Sequence, residues 1–140
     1  MPSFLVALIS LFSFVLAGCA PLPYVRTSKP EMTGILLQNG MPVPDVLIIS
    51  CARGQLPRKC ERIKKTLTDG QGRFFFEAEW EFDKLVPYIG DTKFSYGISF
   101  HYLGRDFHWN GSGVGDTPKS VDLRCEVRNT VLCTTEITEP

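Results

Sequence analysis

The chain has 140 residues, with 15 basic and 15 acidic side chains and 44% hydrophobic residues. That length accommodates one domain with a core of its own. Balanced charge without a basic block argues against nucleic acid as a partner and against a polybasic grip on a membrane.

Residues 4–17 run Phe-Leu-Val-Ala-Leu-Ile-Ser-Leu-Phe-Ser-Phe-Val-Leu-Ala, without a charge. This is the length of a signal-peptide apolar region, and shorter than the roughly 20 apolar residues of a spanning helix. Leu16-Ala17-Gly18-Cys19 follows at once, small residues leading into a cysteine. The box resembles a bacterial lipobox. The resemblance implies that residues 1–18 are a lipoprotein signal peptide and that the Cys19 thiol carries diacylglycerol. Acyl chains contribute about 0.8 kcal/mol per buried CH₂, so two or three anchor stably. Ala20 rather than Asp follows Cys19, which by the sorting pattern of such lipoproteins implies the outer membrane, with the domain facing the periplasm. An ordinary secretory signal with an incidental cysteine is the alternative.

Residues 20–31 contain Pro21, Pro23 and Pro30. Proline cannot donate to a central ladder, so 19–31 is expected to be a lipidated cysteine and Pro-rich tether, reaching some 30 Å. The domain is expected over 32–140.

From Met32 the pattern becomes short β-like runs. Met32–Gln38 is the first, Asn39-Gly40 is a hairpin turn, and Val43–Cys51 is a β-branched second run. Arg58–Leu67 comes next. Thr68-Asp69-Gly70-Gln71-Gly72 is turn chemistry before Arg73–Ala78. Within Trp80–Ile89, the residues Phe82, Leu85, Val86 and Ile89 recur at helical spacing. One short helix is expected there, stopped near Pro87. Lys93–Leu103, Asp106–Trp109, Ser120–Val127 and Thr130–Thr138 complete the strands. Many short strands with one minor helix predict an all-β sandwich or barrel.

Gly34, Asn39-Gly40-Met41-Pro42-Val43, Val46-x-Ile48 and Thr68-Asp69-Gly70-Gln71-Gly72-Arg73-Phe74-x-Phe76 form a pattern. It resembles the transthyretin-like (prealbumin-like), carboxypeptidase-regulatory-like domains. The resemblance implies a β-sandwich of about seven strands serving as spacer, binding module or subunit of an assembly. The hydroxyisourate hydrolases share a similar fold but end in Tyr-Arg-Gly-Ser. This chain ends Ile137-Thr138-Glu139-Pro140, so that activity is not carried over. No nucleophile motif and no cofactor motif occurs. Gly111-Ser112-Gly113-Val114-Gly115 lacks the Lys-Ser/Thr and the helix of a phosphate loop and is expected to be a mobile loop. Glu77, Glu79 and Glu81 alternate, as on a solvated strand face. No enzyme activity is expected.

Besides Cys19, the chain has Cys51, Cys60, Cys125 and Cys133. An even number in an oxidising compartment points to disulfides, and four cysteines allow three pairings. The local one fits best, because Cys51 and Cys60 flank a turn-rich connector and Cys125 and Cys133 are symmetric about Asn129. The spacings match no CxxC motif of redox or zinc sites.

A two-residue turn at Gly104-Arg105 would set Tyr102 against Phe107, Phe100 against Trp109 and His101 against His108. Alternation then puts Tyr96, Ile98, Phe100, Tyr102, Phe107 and Trp109 on a core face and the histidines outside. A cross-strand His pair can hold Zn²⁺ or Cu²⁺ with a third ligand. Two exposed imidazoles, with no metal, are the favoured reading.

If Val46 and Ile48 face inward, Leu47 and Ile49 face outward, and Phe75 points away from Phe74 and Phe76. These three could form a partner surface, unless the helical segment with Phe82, Leu85 and Val86 covers them. The expected function is a non-catalytic envelope lipoprotein, a protein-binding or structural/accessory module. Its membrane contact is the lipid. Its protein partner would be an envelope protein, as in a secretion-system component, or a secreted toxin, as for a periplasmic immunity protein. A small-ligand- or metal-binding lipoprotein is the alternative.

Overall fold

Between Glu31 and Gln38, buried and partly exposed positions alternate, as they do when one face of a strand meets a core. The same period recurs along the chain in a computed structural model, which describes residues 24–55, 59–83 and 93–139. The strands there are β1 (Tyr24–Lys29), β2 (Glu31–Gln38), β3 (Met41–Pro42), β4 (Leu47–Gln55), β5 (Lys59–Leu67), β6 (Arg73–Phe76), β7 (Glu79–Asp83), β8 (Lys93–Tyr102), β9 (Arg105–Val114), β10 (Ser120–Val127) and β11 (Val131–Thr138). They form three sheets. The largest runs β11-β10-β2, with β3 and β6 both paired to the far edge of β2; the second runs β5-β4-β8-β9; the third is β1-β7. All pairs are antiparallel except β10 with β2, where Cys125 lies beside Leu36.

The two larger sheets share one core. Met32, Leu36, Phe74, Phe76, Val121 and Leu123 come from the first, and Ile48, Tyr96, Ile98, Phe100 and Phe107 from the second. The architecture is therefore all-β and sandwich-like, with eleven strands among the described residues rather than about seven. Burial of these side chains away from water is the main favourable term. Asn39 and Gly40, with φ of 51° and 75°, make the tight turn that sets Gln38 opposite Met41. Asp69 Oδ1 accepts the backbone N–H groups of Gln71 and Arg73, both at 2.8 Å, and so shapes the turn into β6.

Four expectations need correction. Among the described residues there is no helix. Glu79–Asp83 is a strand, because Val25, Arg26 and Thr27 supply ladder partners for Phe82, Glu81 and Trp80; positions 84–89 of the expected helix lie outside the described residues. The Pro-rich segment is not a free tether along its length, since β1 begins at Tyr24. Its Pro30 falls between β1 and β2, where no ladder N–H is needed. The glycine run after Trp109 is not a loop but the end of β9, with Gly111 opposite Tyr96 and Gly113 opposite Phe94. A Cβ at Gly111 would come within 2.8 Å of the Tyr96 ring, so these glycines make room for neighbouring rings.

The hairpin turn is Leu103-Gly104, both with positive φ, not Gly104-Arg105. The register therefore shifts by two: Phe100 faces Phe107 and Ile98 faces Trp109. A shift by two preserves which face each side chain takes, so the inward set stands while the facing pairs change.

Candidate functional site

The apolar residues expected to face outward do so. Leu47 is 44% exposed and Phe75 48%, with Ile49 half-buried. Leu47 and Ile49 sit on the outer face of the four-stranded sheet, Phe75 on the outer face of the five-stranded one. Sequence reasoning left out the residue that bridges them. Leu67, 58% exposed, is the cross-strand partner of Leu47 and shares an open groove of about 660 Å³ with Phe75. Its place at the end of a strand otherwise rich in charge hid it. Phe82 is 81% exposed and pairs with Val25 in the small sheet, while Leu85 and Val86, the rest of the expected cover, lie outside the described residues.

The groove lies where β5 and β6 bring the edges of the two sheets together. It is lined by the apolar Ile35, Leu67 and Phe75 together with the polar Thr33, Arg73 and Asp122. Thr33 Oγ1 donates to Asp122 Oδ1 at 3.1 Å. The backbone N–H groups of Arg73 and then Gln71 hold the Asp69 carboxyl below its ordinary range, so the turn bordering the groove carries a negative charge at neutral pH.

Both expected disulfides are present. Cys51 joins Cys60 across β4 and β5, and Cys125 joins Cys133, which faces it directly on β11. Cys19 lies outside the described residues.

The histidines do not meet as expected. His101 faces Asp106, with Nδ1 2.7 Å from Oδ1, and His108 faces Ser99. Asp106, two residues before His108 on β9, shares the histidines' face by alternation, and the two-residue change of register sets it opposite His101. Among the described residues no group of three or more His, Cys, Asp and Glu is arranged to hold a metal.

A second cluster escaped sequence reasoning entirely. β1 and β7 continue the β2–β6 ladder past a bend, from Met32 opposite Phe76 to Lys29 opposite Glu79. At the bend Lys29 is fully buried. Its Nζ is 3.0 Å from Glu79 Oε1, donates to Ser50 Oγ at 3.3 Å and sits 5.2 Å from the centre of the Phe76 ring. Burial pulls the lysine below its ordinary pKa, against the opposing pull of Glu79. Beside it, Arg26 Nε binds Glu81 Oε1 at 2.8 Å, and Arg62 reaches both Glu81, at 3.4 Å, and Ser28 Oγ, at 3.3 Å. Arg62 has φ of 52° in a bulge of β5 opposite Cys51. The bulge re-aims its guanidinium toward the small sheet. Glu79 and Glu81 are therefore not a solvated face. Ser50 is fully buried too, and through the Lys29–Ser50 contact the cluster ties the small sheet to the four-stranded one.

No protein-family model, no curated protein and no solved structure matches this chain.

Proposed function

We propose that the chain is a non-catalytic envelope lipoprotein, anchored through Cys19 in the outer membrane, whose transthyretin-like sandwich binds a protein partner. The observation that carries this reading is the exposed apolar surface that runs from Leu47 through Leu67 to Phe75 at the groove. Exposed apolar surface among polar side chains is what a binding face presents. An envelope assembly component and an immunity protein against a secreted toxin both fit it. The metal- or ligand-binding alternative has less support, since His101 and His108 have different partners across the hairpin.

The test is crosslinking and affinity capture of the lipidated protein from native membranes, with Cys19→Ser as the unanchored control. One dominant protein, lost on Phe75→Glu or Leu67→Glu in folded variants, is expected. Identical capture by parent and variants would remove this surface from the interaction, and no capture above control would count against the protein-binding reading.

A further inference from the structure

The β1–β7 sheet carries its charges inward and its large apolar side chains outward. Arg26 and Glu81 are cross-strand partners on the side facing the domain. On the other side Val25 faces Phe82 and Thr27 faces Trp80. Trp80 is 65% exposed and Phe82 81%, with Val25 also exposed. None of these four positions holds a charge. An outward face of this composition beside water is unfavourable unless something covers it.

The chain itself indicates the cover. Only Ala20, Pro21, Leu22 and Pro23 separate Cys19 from the first residue of β1. Fully extended, that stretch spans at most about 18 Å. The Val25–Phe82 pair lies at this same end of the small sheet. An acylated Cys19 would therefore keep the apolar face within about 20 Å of the bilayer surface. Tryptophan and phenylalanine are suited to the headgroup boundary, where an apolar body meets a wet layer.

We propose that Val25, Trp80 and Phe82 rest in the interfacial layer of the membrane that the Cys19 lipid enters, so that the domain lies on the bilayer instead of standing off from it. The inference rests on the lipid-anchor reading above. The inward charges, held by Arg62 and Lys29, stiffen the small sheet against the domain, and the groove at Phe75 remains on a different sheet, available to a protein.

The test uses the lipidated mature chain carrying Trp109→Phe, which leaves Trp80 as the remaining tryptophan. The protein is reconstituted without other proteins into vesicles of phosphatidylethanolamine and phosphatidylglycerol, with or without bromine on the upper acyl carbons. Brominated lipid is expected to quench Trp80, and access of aqueous acrylamide is expected to fall several-fold. Adding Phe82→Asp, at an exposed position outside the core, should reverse both effects with the β-sheet circular dichroism unchanged. Mass spectrometry of the same sample reads the acyl groups on Cys19. Acylated protein whose Trp80 stays unquenched and open to acrylamide overturns the membrane contact alone, and leaves that face to a protein partner. Absence of acyl groups overturns the anchor reading, and this inference with it.

Discussion

Lys29 and Glu79 are cross-strand partners at the bend between two sheets, their charged atoms 3.0 Å apart, with the lysine wholly out of water. Taking two charges from water costs free energy that their attraction only partly returns, so such a pair is weak evidence for stability. Its role is geometric: it fixes how β1 and β7 fold back over Ser50 and Phe76. Breaking one half leaves the other uncompensated.

Lys29→Met should therefore lower the unfolding free energy by about 3 kcal/mol, since the cation left to Glu79 among the described residues is Lys64, 3.7 Å away and half-exposed. The double variant Lys29→Met, Glu79→Leu should recover much of the loss. Urea denaturation of the three proteins measures both effects. A double variant as unstable as the single one would show that the geometry of the pair, rather than its charge, sets the stability.

The same lysine sets a pH dependence. Burial lowers its pKa in the folded chain below the ordinary 10.5. Between the folded and unfolded values the unfolded chain binds more protons, so stability rises with pH across that window. The cost of the charge is full below the folded pKa and gone above the unfolded one. Tyr96 acts oppositely: burial raises its phenol above the ordinary 10.0, so above that pH the unfolded chain ionises first and stability falls. Urea midpoints from neutral pH to about 10 should rise more steeply for the parent than for Lys29→Met. Parallel curves would remove Lys29 from the effect.

Gly34 lies beneath the Phe74 ring, and a Cβ there would meet Phe74 Cζ at 2.3 Å and the Leu123 carbonyl oxygen at 2.9 Å. Gly34→Ala should cost about 1–3 kcal/mol, because an overfilled site forces the ring out of its place. Phe74→Leu in the same chain should relieve part of that clash, giving a non-additive double-mutant cycle by thermal or urea unfolding. Strict additivity would mean that the carbonyl contact dominates.

The Cys125–Cys133 bridge joins directly facing residues eight positions apart in sequence. Replacing both by Ala should cost about 2–3 kcal/mol, the entropy of closing a short loop in the unfolded chain. Thiol titration of the unfolded parent should find Cys51, Cys60, Cys125 and Cys133 blocked, and thermal unfolding of the variant reads the loss.

Much of the sandwich was legible because its signals are local. Asn39-Gly40 and the Asp69 turn need only their own backbone chemistry, and the two faces of β8 follow from strict alternation. Register was less accessible: Leu103 in a left-handed conformation moved the hairpin turn by one residue and the facing pairs by two. The small sheet was missed because its cues conflict. Prolines at 21, 23 and 30 suggested a tether, Phe82 at helical spacing from residues beyond it suggested a helix, and the alternation of Glu77, Glu79 and Glu81 read as a solvated face. At the partner surface, Leu47, Ile49 and Phe75 were found by parity alone. Leu67 was not, because its link to both sheets exists only in three dimensions.

The parallel pairing of β2 with β10 sets an order of events. Leu36 and Cys125 are neighbours in the sheet although 89 positions apart in the chain. A chain that appears N-terminus first can close the β2–β6 and β8–β9 ladders early, but β2 keeps one edge bare until β10 arrives, with Met32 and Leu36 incompletely covered. Closure over that separation is slow compared with hairpin formation. The interval between them is when an unfinished strand edge is open to the wrong neighbour.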